Sequence, residues 1–87
     1  MALYKFQNYL AVSKSGSFDL ALSPSAPVPC AGIFRCTGCG TEIAVESIGL
    51  LPDRSHHPHQ PRQGPIQWQL VVATVSLLPT LYLHGAA

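Results

Sequence analysis

Gly32-Ile33-Phe34-Arg35-Cys36-Thr37-Gly38-Cys39-Gly40-Thr41-Glu42-Ile43-Ala44-Val45 reads as two short strands joined by a tight turn. Ile33 and Phe34 supply β propensity ahead of the turn, and Ile43 and Val45 alternate onto one face behind it. The turn carries two cysteines separated by two residues. Glycines at 38 and 40 suit a sharp bend that often needs positive φ.

Further along, Ile66-Gln67-Trp68-Gln69-Leu70-Val71-Val72 alternates apolar and polar residues at first. This predicts a third strand, with Ile66, Trp68, Leu70 and Val72 on one face and Gln67 and Gln69 on the other. Between the hairpin and this strand lies a polar stretch, residues 54–65, containing Pro58, Pro61 and Pro65, which forbids an α-helix. The expected fold class is therefore small and mostly β: a hairpin of the zinc-ribbon kind plus a C-terminal strand, with an irregular N-terminal arm.

The hairpin turn and the polar stretch together hold a metal-ligand pattern. Cys36 and Cys39 come first, and His56, His57 and His59 follow. Sixteen residues separate Cys39 from His56, and two separate His56 from His59. Zinc ribbons place two ligand pairs of x₂ spacing about 15–20 residues apart. The expected ligands of a Zn²⁺ ion are thus Cys36, Cys39, His56 and His59. His57 is the alternate to His56, because Pro58 can present His57 and His59 as an HxH pair. Two thiolates and two neutral imidazoles make an electrically neutral zinc site. Cys30 lies six residues before Cys36 and reads as a free or half-buried thiol.

The chain has 87 residues, enough for one domain. Its expected organisation is an arm and linker over 1–31, a metal-binding domain over 32–72 and an apolar tail over 73–87. Residues 13–32 are rich in Ser, Pro, Ala and Gly, and residues 1–12 read as an extended arm packed on the core. A core drawn from ~50 residues is marginal, and domains of that size lean on a metal, a disulfide or a partner. Three cysteines, an odd count, do not make a disulfide framework and fit a reducing, cytoplasmic setting. Lys5 is the only early charge, and Gln7 and Asn8 interrupt the first apolar run, so no secretory signal is expected there.

The ordered set Gly32 to Gly40, Glu42-Ile43-Ala44, Leu51-Pro52, His56-His57, His59 and Gly64-Pro65-Ile66-Gln67-Trp68-Gln69-Leu70 resembles a group of short bacterial zinc-ribbon-like proteins, with a rubredoxin-like knuckle and no known function. The resemblance covers about residues 32–72. It implies a zinc-ribbon or rubredoxin-like metal-binding fold and no particular activity. Thr41 stands where a histidine is common in that group, and Asp53 where a second proline is common.

A four-ligand site is closed to water, so the chain is expected to be a structural zinc protein and not an enzyme. Its expected role is as an interaction module for a protein partner, or more weakly for RNA. The net charge of +1 provides no basic stripe for nucleic acid. No small-molecule substrate is evident. The alternatives are a metal-dependent hydrolase with an open zinc site and Glu42 as its acid, or a membrane-attached protein. Iron-based electron transfer is disfavoured by the two imidazoles. The apolar run from Leu70 to Leu83 falls short of the ~20 residues of a spanning helix and contains Pro79, so membrane association is not expected.

Overall fold

Three antiparallel strands form one open sheet in the order β2-β1-β3: β1 (Gly32–Cys36), β2 (Glu42–Val45) and β3 (Trp68–Ala73). The structure is a computed structural model, and it describes residues 1–74. The expected hairpin and C-terminal strand are both present, and the fold is mostly β.

β1 is the central strand because its side chains alternate cleanly. Gly32, Phe34 and Cys36 are buried, whereas Ile33 and Arg35 point to the other side. Phe34 stands opposite Ile43 of β2 and Leu70 of β3, and Cys36 stands opposite Trp68. Ile43 and Val45 pack against the core, as the alternation of β2 predicts.

The core is small. Phe34, Cys36 and Trp68 have no exposed surface, and Leu51, Leu70, Ile66 and Val28 are nearly as buried. Each large apolar side chain buried in this way contributes about 1.5–3 kcal/mol. Residues 13–31 run beside the sheet and feed this core. Leu22 makes an antiparallel bridge with Trp68, its amide and carbonyl both bonded to that residue at 2.8 Å. Pro27 pairs with Leu50, and Phe18, Ala26 and Cys30 pack around the buried cluster. A 3-10 turn at Gly16–Asp19 leaves the Phe18 carbonyl to accept from the Gln69 side chain at 2.8 Å.

One expected facing is corrected. The register between β1 and β3 shifts between Ile33 and Phe34, so that Phe34 pairs with Leu70 and Ile33 with Val72. Val71 is the extra residue of a β-bulge. The bulge ends the alternation seen in Trp68 and Leu70, and it turns Val72 away from the core to the face that carries Ile33.

That second face meets the N-terminal arm, which is extended apart from a 3-10 turn at Gln7–Tyr9. The Met1 amine lies 3.2 Å from Glu42, and the Arg35 guanidinium reaches the other oxygen of the same carboxylate at 3.3 Å. Between arm and sheet is a groove of about 460 Å³, lined by Met1, Leu3, Tyr4, Ile33, Val71 and Val72 among others. Elsewhere the arm is open to solvent, with Val12 almost fully exposed. Among the described residues, no helix is long and apolar enough to cross a membrane. The apolar tail lies outside the described residues from position 75 onward.

The facing of β1 is testable by substitution. Phe34→Ala opens a cavity in the centre of the core and is expected to cost about 3–5 kcal/mol. That is most of the stability of a domain this small, so cooperative thermal unfolding should vanish. Ile33→Ala, on the groove side, should retain a cooperative transition with a modestly lowered Tm.

Candidate metal centre

The turn after β1 is closed by backbone hydrogen bonds. The Cys36 amide donates to the Thr41 carbonyl at 2.7 Å, and the Gly40 amide donates to the Cys36 carbonyl at 2.8 Å. Gly40 has φ +84°, in the left-handed region where a side chain is strained. Gly38 serves differently. A Cβ there would meet the Gln63 carbonyl oxygen at 2.6 Å and the His59 ring at 2.8 Å, so its role is close approach and not positive φ. The turn thus presents both cysteine side chains toward the loop that carries the histidines.

That loop is shaped by its own polar residues. Asp53 accepts from both the amide and the hydroxyl of Ser55, and the His56 amide donates to the Asp53 carbonyl. The two Ser55 bonds hold the Asp53 carboxyl below its usual range, the Ser55 hydroxyl being the larger cause. An aspartate in place of the second proline of the resembled group therefore builds an Asx-type turn. Downstream, Pro61–Gln63 forms a 3-10 turn in which the Gln63 side chain accepts from the Gln60 amide at 2.7 Å. This turn leaves the Gly64 carbonyl facing His59 Nδ1 at 2.7 Å.

Four side chains converge as a result. One ligand atom from each of Cys36, Cys39, His57 and His59 lies within 4.8 Å of all the others. Cys36 Sγ is 3.3 Å from His59 Nε2, Cys39 Sγ is 3.2 Å from His57 Nε2, and the two Nε2 atoms are 3.1 Å apart. Zinc bond lengths of about 2.0–2.3 Å imply edges of about 3.3–3.7 Å between ligands of a tetrahedral site. These three edges lie at that range or up to about 0.2 Å below it, and the other pairs lie within 4.8 Å, so one small ion would seat with modest rearrangement.

The chemistry of the donor set also fits a cation. The Gly64 carbonyl can only accept a hydrogen bond, so a neutral His59 carries its proton on Nδ1 and aims a bare lone pair on Nε2 into the group. The same carbonyl raises the His59 imidazole above its usual pKa, burial opposing and Cys39 adding a smaller push upward. Cys39 Sγ lies 3.1 Å from the Thr41 hydroxyl. That hydroxyl is the largest cause drawing the Cys39 thiol from 9.0 down to about 6; the Thr41 amide acts in the same sense and burial opposes. A thiolate ready at neutral pH and converging lone pairs suit a divalent ion.

The expected residues divide as follows. Cys36, Cys39 and His59 are in the group, and His57, the alternate, is there with them. His56 is not one of the four. It is exposed, and its Nδ1 sits 2.8 Å from His57 Nδ1. The physical reason is local: the chain bends at His56 and His57, and the bend carries the His57 ring to Cys39 and His59 while the His56 ring stays outside, edge-on to His57 and Trp68.

Two contributors escape a reading by ligand spacing alone: Thr41, which acts on a sulfur, and Trp68, whose ring meets the His56 and His57 rings edge-on at 5.7 Å each. Glu42 is not part of the group. Its carboxylate is taken by Arg35 and the Met1 amine, and it is half-buried. Cys30 is half-buried beside the core, and burial pushes its thiol up.

Comparison with known proteins is sparse. No family model matches the chain, and no solved structure matches it. A protein of Escherichia coli called Protein L is 44% identical over 52 residues, which cover 60% of this chain and 59% of that protein. The match thus spans about three-fifths of that relative's length, and its name states no activity.

Two of the three free thiols, Cys39 and Cys30, should separate by pH. In metal-free protein, alkylation read by mass spectrometry should modify Cys39 with a midpoint near pH 6, whereas Cys30 should require pH above the ordinary thiol range. Thr41→Val should move the Cys39 midpoint upward. Because the folded pKa of Cys39 lies below its unfolded value, its contribution to metal-free stability is complete above about pH 9 and is lost as pH falls through about 6.

Proposed function

We propose that the chain is a small structural zinc-binding module, with Zn²⁺ held by Cys36, Cys39, His57 and His59, which presents its surface to a protein partner. The observation that carries the zinc half is the convergence of four ligand atoms from two separate loops within 4.8 Å. Two sulfurs and two imidazole nitrogens are the donor set of closed structural zinc sites. With all four positions taken by protein there is none for a reacting water, which supports a structural role over hydrolysis. The ion would tie the β1–β2 turn to the His57–His59 loop and so supplement a core of a few side chains.

The partner half is supported by the surface. Leu3, Tyr4, Tyr9 and Val12 are all strongly exposed on one short arm. An apolar display of that kind suits a protein contact better than a phosphate backbone. Charge gives RNA little to follow, at a net +1. The free thiols favour work in a reducing compartment such as the cytoplasm.

Elemental analysis of freshly purified protein should find one zinc per chain. Chelation, or Cys39→Ala, should remove the ion and abolish the cooperative unfolding transition, since structural zinc supplies about 10–16 kcal/mol in small zinc domains. A Cys39→Ala protein with full zinc content and unchanged Tm would overturn the assignment. Replacing Leu3 and Tyr9 with glutamate should leave zinc content intact and abolish crosslinking to a partner from probes placed on the arm.

A further inference from the structure

His56 is the histidine that the ligand group leaves out, yet it does not hang free. Its Nδ1 faces His57 Nδ1 at 2.8 Å, and its ring lies edge-on to both His57 and Trp68, with centroids 5.0 and 5.7 Å apart. Two nitrogens at that distance share one proton, so one ring donates and the other accepts. The far side of His57 decides which. Its Nε2 points at Cys39 Sγ and at His59 Nε2, inside the ligand group.

Resting on the zinc reading above, we propose that His56 is a positioning residue for the metal centre. Its Nδ1 accepts the His57 Nδ1–H, fixes that tautomer and turns the bare Nε2 lone pair of His57 toward the ion. The arrangement parallels that of His59, whose Nδ1–H is held by the Gly64 carbonyl. Each ligating imidazole then has its remote nitrogen tied down, one by backbone and one by a side chain. Metal-binding histidines are commonly oriented this way, and loss of the remote acceptor weakens metal affinity by about 10–100-fold. Trp68 completes the arrangement as a rigid wall. It is fully buried, and its indole N–H is anchored on the Pro52 carbonyl at 3.3 Å, so the two histidine rings rest on a fixed surface.

The test separates the hydrogen bond from the ring contact. His56→Phe keeps an aromatic ring against His57 and Trp68 but cannot accept a proton. His56→Gln lacks the ring but offers an amide oxygen. Co²⁺ affinity is measured from the thiolate-to-metal charge-transfer band, then Zn²⁺ affinity by competition. In the Zn²⁺-loaded protein, ring ¹⁵N shifts and the coupling across the hydrogen bond show which atom accepts the His57 Nδ1–H. The expected result is affinity reduced about 10–100-fold in His56→Phe and largely restored in His56→Gln. In parallel, the loaded parent chain should show the His57 Nδ1–H coupled to His56 Nδ1, and that coupling should be lost in His56→Phe.

Affinity unchanged in His56→Phe would overturn the proposal, as would a Zn²⁺-loaded parent chain with no coupling between the His57 Nδ1–H and His56 Nδ1. If the parent chain binds neither Co²⁺ nor Zn²⁺, the zinc reading itself fails and the proposed role for His56 falls with it. A parent chain that binds metal while His56→Phe matches it in affinity sinks the His56 role alone. The two failures are therefore distinct.

Discussion

Trp68 is the residue on which the architecture turns. It has no exposed surface, yet it opens β3, faces Cys36 across the sheet, exchanges two backbone hydrogen bonds with Leu22 and anchors its indole on Pro52. The His56 and His57 rings stand against its edge. Strand β1, the Leu22 segment and the loop from Pro52 to His57 thus meet at one side chain. A rigid aromatic of that size fixes the histidine loop relative to the cysteine turn, and without that fixed spacing two thiols and two imidazoles would not share a centre.

Much of this was legible in the sequence, and for reasons that can be stated. The hairpin was, because Phe34, Ile43 and Val45 alternate around a glycine-containing turn. So was the third strand, because Trp68 and Leu70 are flanked by glutamines. What a simple period cannot show is a bulge. Val71 interrupts the alternation with another β-branched apolar residue, so nothing in the composition marks that Val72 changes face. The histidine cluster was legible as a cluster, but the choice between His56 and His57 depends on the backbone around Pro58 and not on residue counting. Spacing alone favours His56, whereas the bend at His56 and His57 brings His57 to the group. The roles of Leu22 and Val28 were hidden for another reason: a segment rich in Ser, Pro and Ala looks like a linker, and only the bridge to Trp68 makes it part of the core.

The two faces of the sheet do different work. One carries the core and, at its end, the ligand group. The other is covered in part by an arm whose amine is drawn to Glu42. Arg35 shares that carboxylate, so a half-buried acid is balanced by two cations and left no part in the metal centre. The groove between arm and sheet and the Cys/His group have no residue in common. Events at one can therefore leave the other undisturbed, as a module with a rigid ion site and a separate contact surface requires.

The central position of β1 also orders events during synthesis. Its partner β2 follows within a few residues, whereas β3 arrives only after the whole histidine loop. Short loops close at less entropic cost than long ones, and chains fold from the end that leaves the ribosome first. The nascent hairpin thus displays Cys36 and Cys39 before either imidazole has emerged. Until His57 and His59 follow, the two sulfurs have no imidazole beside them, and only the loop that Trp68 holds brings the four together.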